Sequence, residues 1–372
     1  MIEIKEVTTR RQQRQFVDFP TKLYRKNPYY VHPLRMDELN LFNEKNVSYE
    51  DVDAVYYLAY KDGKIVGRIA GLIQRLYNQK VNEKRVRFTR FDCIDDEKVA
   101  RALFTAVERW GKNKGMDIIH GPMGFNDLDR EGMLIEGFDE LATFEEQYNY
   151  AYYPKLMEAC GYEKEVDWLE YKIYPTEENE ERVNRLSEAV LKRYKLRIAT
   201  AKNKKEYIEK YKQGIFEIID EAYGDLYGTV PFTDKVRDQI ISQFKLFLSM
   251  KFLITLVNEN DEVVAFGLAI PSLSKAIQKS KGRITPLAVF RVVHAVKHPK
   301  ICDFGLIGVR KTYANRGLPA VMMNWIMTQM KDCNLDYCET NLNLEYNIHI
   351  QNQWKNFKHE QHKRRRSYVK NI

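Results

Sequence analysis

The sequence predicts an α/β protein with mixed sheets, arranged as two consecutive domains of one plan. Its 372 residues exceed the about 100–150 residues of a typical single domain. Apolar residues make up 44% of the chain, which is enough to build packed cores. Strand-like and helical segments alternate, and their order in the first half recurs in the second. The predicted ranges are 1–175 for the first domain and 196–372 for the second.

The first domain is built around a hairpin. Its strands, Val55–Tyr60 and Ile65–Ile73, flank an Asp-Gly turn that tolerates positive φ. A third strand, Arg87–Cys93, precedes a helix that Asp96 can cap and Gly115 can end. The remaining predicted elements are Ile2–Val7, Ile118–Ile119, the helix Pro154–Cys160 and Trp168–Tyr174.

Pro175 marks the boundary, and the charged stretch Glu177–Tyr194 predicts a linker helix within residues 176–195. The second domain then repeats the order of strand, helices, hairpin, strand, helix, strand, helix and strand. Its predicted elements are Leu196–Thr200, Lys204–Tyr223, Thr233–Met250, Phe252–Val257, Val263–Ile270, Ile301–Val309, Leu318–Met330, Leu335–Asn341, Ile348–Phe357 and Arg365–Val369.

Composition excludes several classes of protein. Sixty basic and 52 acidic residues give a net charge of +8 and a pI near 8.9, a mild bias that permits anionic ligands. The N-terminal residues do not form a signal peptide, and no apolar run approaches the length of a membrane span. Five scattered cysteines without a CxxC pair predict buried thiols rather than a metal site. We therefore expect a cytoplasmic protein without stable membrane insertion.

The segment Leu306–Ala320 carries the most specific motif. It reads Leu-Ile-Gly-Val-Arg-Lys-Thr-Tyr-Ala-Asn-Arg-Gly-Leu-Pro-Ala and joins a predicted strand to a predicted helix, whose N-terminus favours anions. It resembles the cofactor loop of the GNAT superfamily of acyl-CoA-dependent N-acyltransferases. In that family a splayed strand end holds the pantetheine arm and a Gln/Arg-x-x-Gly-x-Gly/Ala loop holds the pyrophosphate. The resemblance implies that acetyl-CoA or another acyl-CoA binds at Ile307, Gly308, Val309, Asn315, Arg316, Gly317, Leu318 and Asn347.

Several positions depart from the family pattern. Ala314 replaces the expected Gln or Arg, and Pro319 removes one N–H donor. Trp354 stands where the family's general-acid Tyr is common, and an indole cannot protonate a thiolate. In the first domain the equivalent loop, Asp92–Lys98, carries acidic residues that repel phosphate. We therefore interpret the first domain as a degenerate copy and expect the second to bind the acyl-CoA.

The implied reaction transfers an acyl group from a thioester to an amine. Glu339 is the candidate base, because it lies on the strand beside the splayed one, and Tyr346 is the candidate acid. The expected acceptor is the amine of a small molecule or a peptide. The whole chain resembles a bacterial subgroup of tandem GNAT-like proteins, to which no substrate is assigned.

Two alternatives remain open. One is an aminoacyl-tRNA-dependent transferase of the Fem type, with tRNA as partner. The other is a non-catalytic ligand-binding protein that kept the fold. A basic insertion bears on this choice: Lys275–Lys300 contains seven Lys and Arg residues and neither Asp nor Glu. It is either a solvated face or a contact for the CoA 3′-phosphate, a nucleic acid or an anionic membrane.

Two further segments are ambiguous by sequence. The loop Gly121–Gly132 is either a surface connection or a substrate loop. The basic run Lys363–Arg366 lies at the start of the predicted last strand, so its side chains should alternate between two faces instead of forming one patch.

Overall fold

We describe the protein from a computed structural model, which covers residues 1–176, 180–245 and 248–372. The chain forms two compact units. Unit 1 comprises Met1–Leu169, Leu273–Val292 and His362–Ile372, and unit 2 comprises Glu170–Ser272 and Val293–Gln361. The first residues of the predicted linker helix (177–179) and two residues of the predicted helix Thr233–Met250 (246–247) lie outside the described residues.

Unit 1 contains most elements of the first half of the chain. They are β1 (Ile2–Glu6), α1 (Arg10–Leu23), α2 (Arg35–Asn40), β2 (Val52–Lys61), β3 (Lys64–Gln74), α3 (Arg75–Val81), β4 (Arg85–Cys93), α4 (Glu97–Asn113), β5 (Ile118–Gly121), β6 (Met133–Glu136), α5 (Tyr153–Ala159) and the start of β7 (Glu163–Ile173). β1 to β4 pair antiparallel in chain order, and β4 then pairs parallel with β5. The apolar face of α4, with Val99, Leu103 and Val107, is buried against this sheet.

Unit 2 contains the end of β7 and most later elements. They are α6 (Glu180–Arg193), β8 (Arg197–Ile198), α7 (Lys204–Tyr223), α8 (Asp234–Phe244), β9 (Leu253–Val257), β10 (Val263–Pro271), β11 (Ile301–Val309), α11 (Leu318–Asp332), β12 (Tyr337–Glu339), β13 (Asn343–Leu344) and α12 (Ile348–Trp354). The hairpin β9–β10 is antiparallel, β10 pairs antiparallel with β11, and β11 pairs parallel with β12. This is the pairing scheme of β2, β3, β4 and β5. The predicted α/β fold with one plan used twice is therefore confirmed.

Three segments belong to a unit that the predicted domain boundaries did not give them. The insertion between β10 and β11 forms α9 (Ser274–Ser280) and α10 (Pro286–Lys297), and its part up to Val292 belongs to unit 1. The last strand, β14 (His359–Asn371), pairs with β5 and β6 and supplies unit 1 from His362 onward. The helix predicted as a linker packs in unit 2, where Val190 joins Leu318 and Val321 of α11 in one core cluster. The pairing of β14 with β5 joins residues far apart in sequence and is not encoded in local periodicity, so the sequence could not place the last strand in unit 1.

Two expectations about side chains can be checked directly. Four of the five cysteines are buried and Cys333 is partly buried. In β14, Lys363 and Arg365 are buried, while Arg366 donates two hydrogen bonds to Asp167 at 2.7 and 3.0 Å. The basic run is therefore part of the unit 1 interior and its ion pairs. Among the described residues, no helix combines the length and the apolar character needed to cross a bilayer.

Candidate functional site

The strand β11 diverges from β12 in the middle of its length. The two strands pair from Ile301–Tyr337 to Asp303–Glu339, where β12 ends, while β11 continues to Val309 with β10 on its other side. A register shift at Leu268 and Ala269 of β10 leaves Gly305 as an extra residue in β11. We call the diverging part, Phe304–Val309, the unit 2 splay. It contains Ile307, Gly308 and Val309, three of the residues predicted to bind an acyl-CoA.

The backbone of Ile307 is turned away from β10. Its N–H donates to the hydroxyl of Tyr223 at 3.1 Å, and the same hydroxyl donates to its carbonyl at 2.9 Å. Tyr223 is the last residue of α7, which packs closely on the splay. A Cβ on Gly308 would lie 2.6 Å from Ile218 of α7 and 2.8 Å from Phe266, so only glycine fits at that position. One side chain therefore holds a backbone donor and acceptor that the splay presents.

The loop from the splay to α11 is tied to α7 by charge. Arg310 donates to Glu221 at 3.1 Å and to Glu217 at 2.8 Å, and the Lys311 N–H donates to Glu221 at 3.0 Å. Arg316 is exposed instead, and its guanidinium lies over the rings of Tyr194 and Tyr313. It therefore faces solvent, as does the side chain of Lys311, which is 69% exposed.

The start of α11 has the geometry of an open helix N-terminus. Asn315 and Gly317 adopt left-handed backbone conformations with φ of 59° and 79°. Gly317 is the N-cap and provides no side chain, and the buried Leu318 and then Pro319 begin the helix. The first-turn N–H groups of such a helix attract anions. Asn315, Arg316, Gly317 and Leu318, all predicted to bind the cofactor, thus lie where the loop meets α11.

The candidate catalytic residues lie next to the point of divergence and on the turn that follows. Glu339 is 5% exposed and stands beside Asp303 in the parallel register and beside Lys172 of β7. Tyr346 is 55% exposed, and partial burial raises the pKa of its phenol above the ordinary value. It is therefore a protonated donor at neutral pH. Asp303, a second buried carboxylate, was not singled out from the sequence.

Asn347 and Trp354, the other two positions compared with the family, have structural partners. The Asn347 side chain caps α12 by accepting from the Ile350 N–H at 3.4 Å. Trp354 is buried, donates to Asn343 at 3.2 Å and stacks on Phe304 with ring centroids 5.8 Å apart. Trp354 is therefore a packed residue of unit 2.

Comparison with known proteins identifies the architecture. No protein-family model matches the chain. A solved tandem GNAT protein from the clavulanic acid biosynthesis pathway, without AcCoA, superposes with a TM-score of 0.57 at 9% identity, covering 100% of this chain and 98% of that one. The chain has the tandem GNAT fold.

Two curated proteins are similar along most of the sequence. Protein YghO of Escherichia coli strain K12 is 27% identical over 366 residues, which is 96% of this chain and 93% of that protein. A bacterial ceramide synthase of Caulobacter vibrioides (strain NA1000 / CB15N) is 24% identical over 347 residues, which is 89% of this chain and 86% of that protein.

The first copy of the GNAT fold differs at the helix that follows its splayed strand. Only residues 94–96 separate β4 from α4, and the side chain of Asp96 accepts from the Lys98 N–H at 3.0 Å. The same carboxylate forms an ion pair with Lys61 at 2.7 Å, and this hydrogen bond lowers the pKa of Asp96. A carboxylate of the chain therefore caps α4, whereas the N-cap of α11, Gly317, provides no side chain.

The splay of the first copy is filled by its own loop. β4 and β5 pair from Arg85–Ile118 to Arg87–His120. Beyond that point the Met123 N–H donates to the Phe88 carbonyl at 2.9 Å, and Arg87 donates to the Gly124 carbonyl at 3.0 Å. The first residues of the loop Gly121–Gly132, which was ambiguous by sequence, are thus buried and hydrogen-bonded along β4.

A polar pocket lies farther along β4 in unit 1. It is lined by Tyr30, Glu38, Arg68, Thr89, Arg90, Asp92, Arg130, Gln147 and Tyr148. The buried charges are matched: Arg68 donates to Asp92 at 2.8 Å, and Arg90 donates to both oxygens of Asp129 at 3.0 Å. Asp92 also accepts from Tyr24 at 2.9 Å, and burial raises its pKa. Charged residues at strand positions that should be apolar were the sequence signal for this network.

Proposed function

We propose that the protein is an acyl-CoA-dependent N-acyltransferase whose second GNAT copy binds the acyl-CoA. One observation carries the proposal: the unit 2 splay leads, through a loop with left-handed Asn315 and Gly317, into an α11 N-terminus without a side-chain cap. An extended strand edge suits an amide-containing arm, and an open helix N-terminus suits a pyrophosphate. Arg316 adds a solvent-facing cation for phosphate.

The residues beside the splay fit the two proton transfers of amide formation. The amine must lose a proton as its nitrogen bonds to the thioester carbon, and the leaving thiolate must gain one as the C–S bond breaks. Glu339 would accept the first proton, directly or through a water molecule, and Tyr346 would donate the second. Backbone N–H groups of the splay would stabilise the oxyanion.

The similarity to a bacterial ceramide synthase supports a lipid amine as the acceptor. A ceramide is an amide between a fatty acyl group and a long-chain amino alcohol, so its formation is an N-acylation of a lipid amine. The similarity covers 89% of this chain, which includes both GNAT copies. We therefore propose a long-chain amino alcohol as the acceptor, in preference to a peptide amine.

The test is a turnover assay with acyl-CoA of increasing chain length and three acceptors. These are a long-chain amino alcohol, a peptide with a free α-amine, and a peptidoglycan-type amine supplied with aminoacyl-tRNA as donor. Release of the CoA thiol and the mass of the amide product are measured. We expect turnover with the amino alcohol. Transfer from aminoacyl-tRNA alone would instead identify a Fem-type enzyme, and CoA binding without any product would identify a non-catalytic protein.

Glu339→Gln separates catalysis from binding. Loss of a general base lowers kcat by about 10²- to 10⁴-fold. The Kd for CoA should not change, because Glu339 lies on β12 and is not one of the residues predicted to bind CoA. Glu209→Gln is the matched control, since Glu209 lies on α7 with a side chain that is 66% exposed. Equal kcat values for Glu339→Gln and the wild type would remove Glu339 from the mechanism.

A further inference from the structure

The insertion Lys275–Lys300 is firmly attached to unit 1 through its first helix. Ala276 and Ile277 of α9 are buried, and the Gln278 side chain donates to the carbonyls of Pro28 and Tyr30 at 2.8 and 3.0 Å. The Arg35 N–H donates to the Gly282 carbonyl at 2.8 Å. Gly282 has a φ of 68° and lies so close to Pro33 that a Cβ would overlap its carbonyl oxygen. α9 is therefore a fixed base for the segment that follows.

The next helix, α10, and the residues just before it present apolar side chains to solvent. Ile284 and Leu287 are each 56% exposed, Val289 is 47% exposed and Phe290 is 66% exposed. Leu287 and Phe290 are one turn apart on α10 and form a short apolar stripe, and Ile284 lies two residues before the helix. Single exposed apolar residues are ordinary, but a row of large ones on one short element marks an interaction surface.

The charged residues of the insertion are all basic. Lys279, Lys281 and Arg283 precede the helix and are exposed, Arg291 and Lys297 lie within it, and Lys300 follows. The whole insertion lacks acidic residues. An apolar stripe framed by cations is the pattern of a helix that lies in the plane of a membrane surface, with the apolar side chains in the acyl boundary and the cations at the headgroups.

We propose that α10, with the exposed cations that precede it, docks the protein on an anionic lipid surface. Charge complementarity identifies the occupant: anionic headgroups match the cations, and the acyl boundary matches Leu287 and Phe290. A nucleic acid would match the cations only. Docking would be peripheral and would place a lipid-modifying enzyme at its substrate. The proposal does not depend on the acyl transfer and can fail or succeed without it.

The experiment is vesicle sedimentation of the full chain. We expect binding to vesicles of phosphatidylcholine mixed with phosphatidylglycerol, little binding to phosphatidylcholine alone, and release as salt is raised. The double variant Leu287→Ser, Phe290→Ser should bind at least about tenfold more weakly. Lys281→Gln and Arg283→Gln should each weaken binding roughly fivefold. The matched control is Leu186→Ser with Ile198→Ser, which removes apolar residues that are 48% and 38% exposed elsewhere.

Two further measurements keep the result decisive. Phe290→Trp retains an apolar side chain, so its fluorescence should gain a component that brominated lipids quench, relative to the wild type. Light scattering without vesicles should give the same molar mass for the wild type and the double serine variant. The proposal is overturned if the wild type ignores anionic vesicles, if the serine variant binds as well as the wild type, or if that variant loses a self-association that the wild type shows.

Discussion

The two splayed strands of this protein share a pairing scheme and differ in what lies against them. Along β4, a backbone loop with Met123 and Gly124 occupies the gap and Asp96 caps the next helix. Along β11, a single hydroxyl, that of Tyr223, holds the strand edge and the next helix begins without a cap. A loop is covalently part of the fold, whereas a side chain can rotate away. The comparison shows two ways to cover a splayed strand: a loop covers β4 in the first copy, and a side chain covers the edge of β11 in the second.

The largest expected effect concerns the first copy. Arg68→Met removes the cation that is buried beside Asp92, and breaking a buried ion pair costs about 3–5 kcal/mol of unfolding free energy. Burial already raises the pKa of Asp92, and loss of Arg68 should raise it further. A raised carboxyl pKa lowers stability as pH rises, so the deficit should be larger at neutral pH than in acid.

Urea unfolding at several pH values measures this deficit. Arg11→Met, at an exposed position of α1, is the control and should match the wild type. Acyl-CoA affinity should be unchanged in both variants. A loss of affinity in Arg68→Met at temperatures where it is folded would mean that the first copy takes part in donor binding.

The next effect concerns the two helix starts. Gly317→Asp places a side chain at a left-handed φ of 79° and a carboxylate at the α11 N-terminus, so acetyl-CoA should bind at least about tenfold more weakly. Asp96→Ala removes the α4 cap and should cost about 1 kcal/mol of stability without changing acetyl-CoA affinity. Isothermal titration of both variants checks this pair. Unchanged affinity in Gly317→Asp would refute the assignment of the donor site.

The smallest expected effect concerns the side chain of Tyr223, which covers the edge of β11. Tyr223→Phe deletes the hydroxyl that competes for the Ile307 backbone, so acyl-CoA should bind roughly fivefold more tightly. Tyr211→Phe is the control, because Tyr211 lies on the same helix and its hydroxyl donates to the Thr200 carbonyl at 3.5 Å. Weaker binding in Tyr223→Phe would indicate that the hydroxyl contacts the ligand instead of competing with it.

Local patterns predicted much of the fold and the second helix start. The Asp-Gly turn, the capped helix after Asp96 and the Gly317 loop each depend on residues that are close in sequence. The tandem GNAT fold inferred from the loop is confirmed by the structural comparison. The roles predicted for Glu339, Tyr346 and the residues of the donor site stay predictions.

Features that depend on contacts between residues far apart in the chain could not be predicted from the sequence. Tyr223 meets Ile307 and Asp303 stands beside Glu339 only because strands and helices far apart in sequence pack together. The polar network of unit 1 left a trace in Arg68, Arg90 and Asp92, which lie at buried strand positions. Charged residues that interrupt a strand pattern are therefore a signal for a buried network, although the pattern does not identify the partners.

The assignment of His362–Ile372 to unit 1 has a consequence for the order of folding. In the sheet of unit 1, β14 pairs with β5. Residues around Ile118 can therefore form their backbone pairs only after the segment near Lys370 has been synthesised. During synthesis the N-terminal half leaves the ribosome long before that partner exists, and it must survive as an incomplete sheet with an open edge. Contacts of such sequence separation also slow folding. We expect this topology to make folding during expression depend on chaperones, and we expect the β14 segment supplied in trans to relieve that dependence.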